Sequence, residues 1–306
     1  MNNICQNILK TLAYFDIFNY PLKDEEIVQF LPGEKNYLLV RESLKILLQQ
    51  KRIFNIGEFY SLKNRQSIAD RRIQGNKRAT QQLTIAARIA KLLGHFPFVQ
   101  TVCVSGSLSK NFADQNSDID FFIITEANRL WIARTFMHLF KKLTYLIGKQ
   151  HWFCMNYFID EKEMEIVEKN IFTAMEIITL KPMQGTDCYK RFMNANSWTK
   201  NYLPEQNMSF PIDKPLKKIF FKGSVEKIFS AKFGDAVERW LMNITDKRWK
   251  KKTLQNKLNN HGDRVSMMVS PHFSKPDPGI FQLKIIKEYE SRVHHLLISN
   301  QLMEIE

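Results

Sequence analysis

The sequence has few cysteines and no cysteine pair at the short spacing of a metal or redox motif. The four that are present are Cys5, Cys103, Cys154 and Cys188. Two of them lie in apolar segments typical of strands, so we expect buried, reduced thiols and a cytoplasmic protein. The spacing excludes a zinc motif, and the adjacent His294 and His295 lie in a basic segment expected at the surface.

The sequence also lacks a long apolar run free of charge. Its N-terminal residues do not combine a basic segment with an apolar stretch, so we expect no secretory signal. The most apolar helical stretch spans residues 130–147. Insertion into a bilayer would be penalised by the charged side chains within it, namely Arg134, His138, Lys141 and Lys142. We therefore expect an amphipathic core helix there and no membrane association.

The bulk composition is that of a folded, soluble protein of more than one domain. The chain has 306 residues, of which 44% are hydrophobic and 25% charged, and this length predicts two or three domains. The formal net charge of +14 favours an anionic partner such as nucleic acid, nucleotide or acidic membrane. A merely lysine-rich surface explains the charge equally well.

The first 65 residues follow the order helix, helix, helix, hairpin. Apolar side chains recur at helical spacing in the first segment, at Ile4, Ile8, Leu12 and Phe15. Two further helices are predicted over residues 23–31 and 37–50. Residues 52–62 hold two short apolar strands around Gly57, which indicates a hairpin.

This order resembles a winged-helix module, in which the third helix can enter the major groove of DNA. The basic residues on or just after that helix are Arg41, Lys45, Lys51 and Arg52. The predicted hairpin tip, however, carries Glu58 and no basic residue. DNA binding and protein contact therefore both remain open for this module.

Strands and helices alternate in the middle of the chain, which predicts an α/β or α+β core with both sheet faces covered. Strands are expected at residues 99–104, 119–125 and 152–159, and helices at residues 66–94, 128–148 and 172–180. Beyond residue 190 the pattern is helical, at residues 220–245 and 280–302, with a turn-rich loop at 270–279. We thus expect three regions, divided as 1–65, 66–189 and 190–306.

The most informative segment joins the first two of these strands. Gly106-Ser107 ends one strand, and Asp118-Ile119-Asp120 opens the next, eleven positions after Ser107. Residues i and i+2 of a strand face the same side, about 7 Å apart. Two carboxylates so placed can share Mg²⁺, which prefers oxygen ligands and completes its shell with phosphate oxygens and water.

This pattern closely resembles the signature of the polymerase-β-like nucleotidyltransferase superfamily. The resemblance implies an α+β fold with a mixed sheet, Mg²⁺ on Asp118 and Asp120, and an NTP as substrate. The residues that it implies for nucleotide binding are Gly106, Ser107, Ser109 and Lys110. The expected function is transfer of a nucleoside monophosphate from the NTP to an acceptor hydroxyl or phosphate, with helices of the C-terminal region closing over the site.

The superfamily usually has a third carboxylate on the following strand, and here the polar residue on that strand is Asn156. An asparagine oxygen can bind a metal, but it cannot accept a proton at neutral pH. Strand parity places Asp160 on the same face as Asn156, and further candidates for the base are Glu161, Glu163 and Glu176. The alternative function is therefore a catalytically degenerate protein that regulates by binding nucleotide or DNA.

Overall fold

A computed structural model describes residues 3–33, 35–115, 117–148, 150–203, 220–255, 266–276 and 279–303. The chain begins with an N-terminal module of three helices and a hairpin: α1 (Asn3–Asp16), α2 (Asp24–Phe30), α3 (Tyr37–Gln49), β1 (Phe54–Ile56) and β2 (Phe59–Ser61). The predicted order of elements is present, and membership of the winged-helix class stays a prediction.

The apolar residues at helical spacing account for the interior of this module. Ile8, Leu12 and Phe15 of α1 are all buried, because their spacing of three to four residues puts them on one helix face. The hairpin turns at Gly57, whose φ of 64° is the left-handed conformation that a two-residue hairpin loop requires. A backbone bridge between Leu22 and Tyr60 fastens the hairpin to the segment ahead of α2.

A six-stranded mixed sheet forms the centre of the molecule. Its elements and those that flank it are α4 (Gln66–Leu93), β3 (Val99–Val104), α5 (Gly106–Ser109), β4 (Asp120–Thr125), α6 (Leu130–Thr144), β5 (Cys154–Asp160), α7 (Ile171–Ile178), β6 (Lys181–Gln184), α8 (Thr186–Ala195), α9 (Phe220–Phe229), α10 (Lys232–Leu254), β7 (Met267–Val269), β8 (Phe273–Pro276) and α11 (Gly279–Met303). The strand order is β6-β3-β4-β5-β8-β7. Among these described strands, β4 and β5 pair in parallel and the other neighbours are antiparallel. The predicted α+β class is confirmed.

Both faces of the sheet are covered, as the apolar strands predicted. On one face, Phe121 and Ile123 pack with Trp131 of α6 and with apolar residues of α4. On the other face, Phe122 packs with Phe192 of α8 and with residues of α7. Because successive side chains of β4 alternate between the two faces, both sets are buried, and only the ends of the strands are left for chemistry.

The described residues of the C-terminal region form helices and one hairpin, β7 with β8, that joins the sheet. The single helix expected over residues 220–245 is two helices, α9 and α10. The segment expected as a turn-rich loop contains β8, which pairs with β5 through Phe158 and Ile159. The last helix, α11, packs back on the N-terminal module, where Arg292 pairs with Asp16. These long-range contacts decide conformations that local propensity leaves open.

The apolar stretch expected as an amphipathic helix is α6, followed by a short 3-10 turn, Tyr145–Ile147. The side chains at the start of α6 are buried, whereas those of Leu139 and Leu143, further along the helix, are exposed. Throughout the part of the chain that the structure describes, no helix combines the length and apolar character needed to cross a membrane.

Candidate active site

The Gly-Ser turn lies directly against one of the two aspartates. Gly106 follows β3 with a φ of 66°, and a Cβ atom at this position would lie 2.9 Å from Asp120 Oδ2. The backbone N–H of Ser105 donates to Asp120 O at 3.0 Å. Glycine is therefore required for two reasons, the left-handed backbone and the closeness of the carboxylate.

The polar residues after Gly106 have two different roles: one is exposed to solvent, and two hold the backbone of the turn. Ser107 is exposed at the start of α5, next to the turn. Ser109 is buried, and its hydroxyl donates to Gly106 O at 2.8 Å. Lys110 Nζ donates to the same carbonyl at 3.2 Å and to Glu176 Oε1 at 2.7 Å. The turn thus presents Ser107 outward, while Ser109 and Lys110 hold its backbone.

Asp118, Asp120 and Asn156 lie at the end of the sheet where β4 and β5 begin. Asn156 Nδ2 donates to Asp120 Oδ1 at 3.0 Å. Asp118 Oδ1 lies 2.8 Å from His151 Nδ1. The thiol of Cys154 donates to Asn156 Oδ1 at 3.2 Å. These contacts make a polar cluster in which each carboxylate has a neutral or titratable donor beside it.

A bulge between β4 and β5 aims Asn156 at Asp120. Phe121 pairs with Met155, but Phe122 pairs with Tyr157, so Asn156 is an extra residue in β5. A bulge leaves its additional residue unpaired and turns the side chain locally, a device that occurs often beside active sites. Asn156 is accordingly exposed at the strand edge and free to reach the aspartate.

The same bulge makes the parity argument for Asp160 wrong. One extra residue reverses the alternation of side chains beyond it, so Asp160 faces the α6 side of the sheet, as Phe158 does. Asp160 pairs with Thr125, at the opposite end of β4 from Asp120, which is about 16 Å away at 3.3 Å per residue. Asp160 cannot act as base at the aspartate pair.

The other candidate acids are separated in the same way. Glu161 pairs with Arg191, and Glu163 lies 3.7 Å from His272 at the far end of the sheet. Glu176 alone among the candidates borders the site, because its carboxylate holds Lys110, and its charge contributes to the raised pKa of Asp120.

The electrostatics of the cluster favour binding of a cation. Desolvation is the largest cause that raises the pKa of Asp120 to about 6. The nearby thiol of Cys154 opposes this rise, and the negative charges of Asp118 and Glu176 add to it. Burial also raises the pKa of the Cys154 thiol to about 12, so this thiol is protonated at neutral pH. A divalent cation would neutralise the excess negative charge.

The oxygen ligands present here suit an ion such as Mg²⁺, which takes part of its coordination from substrate and water. They do not suit a metal that is held entirely by protein side chains. Among the described residues, no group of three or more His, Cys, Asp or Glu side chains is arranged to hold a metal. Mg²⁺ is usually bound by one or two carboxylates together with substrate phosphates and water. Asp118 and Asp120 would supply those carboxylates, with the backbone of the Gly106 turn directly beside Asp120.

Comparison with known families agrees with this geometry. Residues 86–182 match the family model described as "Nucleotidyltransferase domain". This segment is a nucleotidyltransferase domain. It runs from the second half of α4 to the start of β6 and contains the whole cluster, and it confirms the resemblance to the polymerase-β-like superfamily. The match covers about a third of the chain. No curated protein and no solved structure shows significant similarity to the chain.

The loop after α5 in the nucleotidyltransferase domain is clamped by elements that lie outside the family match. Tyr20 of the N-terminal module donates its hydroxyl proton to Lys110 O. Asn76 Nδ2 of α4 donates to Asn111 O at 2.6 Å, and Ala113 N donates to the carbonyl of Gly75 at 3.2 Å. The position of the Gly-Ser turn therefore depends on the N-terminal module and on α4.

Gly75→Ala should loosen this clamp. A Cβ atom at Gly75 would lie 2.2 Å from the ring of Phe112, so the ring and its loop must move. At a helical position, alanine is more stabilising than glycine by about 1 kcal/mol. Overpacking against the Phe112 ring, however, typically costs about 1–3 kcal/mol. We expect a lower melting temperature and weaker NTP binding, measured by thermal unfolding and calorimetry.

Gly223→Ala is the matched control, because a Cβ at that helical glycine meets no atom within 4 Å. It should leave NTP binding unchanged and preserve or raise the melting temperature. Phe112→Leu combined with Gly75→Ala should restore part of the loss by making room. Wild-type NTP binding in the single Gly75→Ala variant would show that the clamp does not position the turn.

Sequence reasoning missed two members of the cluster. Cys154 lies two residues before Asn156 on the same strand face, so parity was a signal for it. His151 lies in a short 3-10 turn, Gln150–Trp152, ahead of β5. Its carbonyl accepts from Ile119 N at 3.1 Å, a contact across 32 residues that no local pattern indicates.

Proposed function

We propose that this chain transfers a nucleoside monophosphate from an NTP to an acceptor, with Mg²⁺ held by Asp118 and Asp120. The observation that carries the proposal is the approach of the Gly106 turn to Asp120 inside the matched nucleotidyltransferase domain. In the reaction, an acceptor oxygen forms a bond to the α-phosphorus. The bond to pyrophosphate breaks, pyrophosphate leaves with the electron pair, and the acceptor proton passes to a base or to water.

The residues divide this work according to their geometry. The backbone at Gly106 can approach phosphate oxygens without a Cβ in the way, and the Ser107 hydroxyl is exposed to donate to them. Lys110, held by Glu176, fixes the turn and adds positive charge beside it. A bound metal would neutralise charge that develops on the phosphate chain. Glu176 is the acid best placed to influence the acceptor proton, since Asn156 cannot accept it.

The alternative is nucleotide binding without transfer, and Asn156 is the observation that favours it. Incubation with each α-labelled NTP and Mg²⁺ separates the two functions. Label on the protein, on RNA or on a small molecule supports transfer. Saturable NTP binding with no transferred label under any acceptor condition supports a regulatory role instead.

Asn156→Asp tests whether the third position limits the site. The change is nearly isosteric and replaces the donor to Asp120 with a third carboxylate. Without metal, repulsion should lower the melting temperature. With Mg²⁺ the added ligand should raise metal affinity by about tenfold and raise transfer. Calorimetry and label transfer measure both effects.

Asn156→Ala is the control, since it removes the same hydrogen bond without adding charge. It should not increase metal affinity. An equal response to Mg²⁺ in wild type and Asn156→Asp would show that this position does not contact the metal.

Nucleic-acid binding by the N-terminal module stays a proposal with reduced support. Arg41 is held by Asp24, and Arg52 donates to Leu296 O of α11. Within the described part of the chain, the side chains of Lys45 and Lys51 make no ion pair or hydrogen bond and are left to contact phosphate. If duplex DNA binds at low salt, log K should fall against log salt by about 0.9 per phosphate contacted. Absence of binding at low salt would leave protein contact as the module's role.

A further inference from the structure

Helix α4 buries one arginine against the N-terminal module. Arg72 is 2% exposed, and an arginine is almost never enclosed to this extent unless it is paired. Its Nη2 atom donates to Glu26 Oε1 of α2 at 2.5 Å, and its guanidinium lies 5.7 Å from the ring centroid of Phe59 in the hairpin. Arg72 therefore joins α4 to two separate elements of the N-terminal module.

The same guanidinium supports the ring of Tyr20. Its central carbon lies 3.7 Å from the centroid of that ring, well within the range of a cation–π contact. Tyr20 is buried, and its hydroxyl donates to the carbonyl of Lys110. Because a buried ring stacked on a guanidinium has little freedom to tilt, Arg72 fixes the direction in which the Tyr20 hydroxyl points.

Arg72 also fixes the side-chain amide of Asn76, one helical turn further along α4. Arg72 Nε donates to Asn76 Oδ1 at 2.9 Å, and Asn76 Nδ2 donates to Asn111 O at 2.6 Å. Because a guanidinium has donors only, it selects the amide orientation in which the oxygen faces Arg72 and the NH2 group faces the loop. The reverse orientation would place two donors against each other.

The two side chains that Arg72 supports end on neighbouring carbonyls of the loop after α5. Tyr20 holds the carbonyl of Lys110, and Asn76 holds that of the next residue. Lys110 Nζ in turn donates to Gly106 O at 3.2 Å. A path of direct contacts therefore runs from Arg72 to the Gly-Ser turn, and it begins outside the segment that matches the family.

The burial of this arginine has a cost in stability. Its Nη1 atom is buried and has no hydrogen-bond partner among the described residues. Burial also lowers the pKa of Arg72 to about 9, because the charged form is disfavoured where water is excluded. An unsatisfied buried donor in a folded protein requires an explanation, and the orientation of Tyr20 and Asn76 supplies one.

We propose that Arg72 is a positioning residue for the nucleotide site and acts through Tyr20 and Asn76 on the loop after α5. The proposal rests on the proposed transferase function. With Arg72 in place, both loop carbonyls are held and Lys110 keeps its contact with the Gly-Ser turn. The N-terminal module, which supplies Tyr20 and the partner of Arg72, thereby contributes to nucleotide binding through this path.

A double substitution separates positioning from folding. The double variant Arg72→Met/Glu26→Gln removes both charges of the buried ion pair, and replacement of a whole buried pair often leaves stability near its original value. The melting temperature should therefore stay close to that of the wild type, while Tyr20 and Asn76 lose their support. Mg²⁺-dependent NTP affinity, measured by calorimetry, should fall about tenfold, which corresponds to the loss of about one hydrogen bond.

Hydrogen exchange reports on the loop itself in the absence of NTP and metal. The amide of Ala113 donates to Gly75 O at 3.2 Å, and that of Phe112 donates to Ser107 O at 3.1 Å. Both amides should exchange faster in the double variant, because the loop opens more often, whereas the amides of β4 should be unaffected. Since no nucleotide is present, the loop can respond while label transfer fails, and transfer can succeed while the loop does not respond.

Glu26→Gln alone is the matched control. Its remaining side-chain oxygen can accept from Arg72, at the expense of the hydrogen bond that Glu26 accepts from Lys23 N. This variant should melt at a slightly lower temperature but keep wild-type exchange and NTP affinity. Loss of stability is thereby distinguished from loss of positioning.

Arg72→Lys is a second test that keeps a charge beside Glu26. Lysine has no planar group to stack on Tyr20 and cannot reproduce the geometry of the guanidinium donors. It should therefore remain folded through the ion pair and show the same faster exchange and weaker NTP binding. Should the double variant fail to fold, Arg72→Lys decides in its place.

Tyr20→Phe shows whether Arg72 acts through the loop, since it removes the hydroxyl and keeps the ring. It should weaken NTP binding when made in the wild type and have a smaller effect when added to the double variant, because contacts on one path are not additive. Wild-type exchange and NTP affinity in the folded double variant would overturn the proposal, as would fully additive losses with Tyr20→Phe.

Discussion

Replacement of Asp118 and Asp120 together by Asn is expected to abolish the metal-dependent part of NTP binding. Each carboxylate contributes a charged ligand, and a hydrogen bond or ligand contact to a charged group is worth about 1.5–3 kcal/mol. Loss of both therefore predicts a fall in affinity on the order of a hundredfold or more. The substitution keeps the shape of both side chains, so the Gly106 turn should keep its backbone.

The double variant should not lose stability in the absence of metal. The pKa of Asp120 is raised from 3.8 to about 6, so the ionised form is disfavoured in the folded state. This carboxyl therefore destabilises the wild type increasingly as pH rises from about 4 to about 6 and does so fully at pH 7. Asparagine removes that cost, and we expect an unchanged or higher melting temperature at pH 7.

Calorimetric titration of an NTP with and without Mg²⁺ measures the effect. Asp114→Asn is the control, because Asp114 lies in the same loop but pairs with Arg71. It should bind NTP with wild-type metal dependence. If the double variant still shows Mg²⁺-dependent affinity equal to that of the wild type, Asp118 and Asp120 do not hold the metal.

Asp160→Ala is expected to cost stability rather than nucleotide binding. Asp160 is fully buried and accepts hydrogen bonds from Asn128 N at 2.8 Å and Lys162 N at 3.0 Å. It also lies 2.9 Å from His272 Nδ1 in the turn between β7 and β8. Removal of one partner of a buried pair costs about 3–5 kcal/mol, and two backbone donors are left without an acceptor.

Thermal or urea unfolding gives the size of this loss, and calorimetry below the melting temperature gives the NTP affinity. Glu163→Ala is the control, since Glu163 approaches the same histidine from the solvent, at 3.7 Å, and should change stability little. A variant Asp160→Ala that keeps wild-type stability but loses NTP binding would place Asp160 in the site and contradict the register of β5.

The division into residues 1–65, 66–189 and 190–306 stays a prediction, because contacts cross both boundaries. Tyr20 reaches the loop after α5, and β8 completes the pairing of β5. These hydrogen bonds connect the three regions. The position of the Gly-Ser turn therefore depends on residues outside the segment that matches the family. Truncation at either boundary would expose buried surface on the nucleotidyltransferase domain.

The sequence by itself determined strand β3, the Gly-Ser turn that follows it and the Asp-x-Asp segment that leads into β4. These features depend on neighbours a few residues apart: apolar alternation, a glycine with a left-handed backbone, and two acidic residues two positions apart, the second of which begins β4. The same local rules located α4 and the three helices with a hairpin at the start of the chain.

Only the tertiary structure decided the rest of the site. The bulge at Asn156 depends on how β5 pairs with β4, and one unpaired residue is enough to separate Asp160 from the aspartates. His151 and Glu176 reach the cluster from other elements of the fold. Such contacts join residues far apart in sequence, where hydrogen-bond partners and burial are set by packing rather than by local pattern.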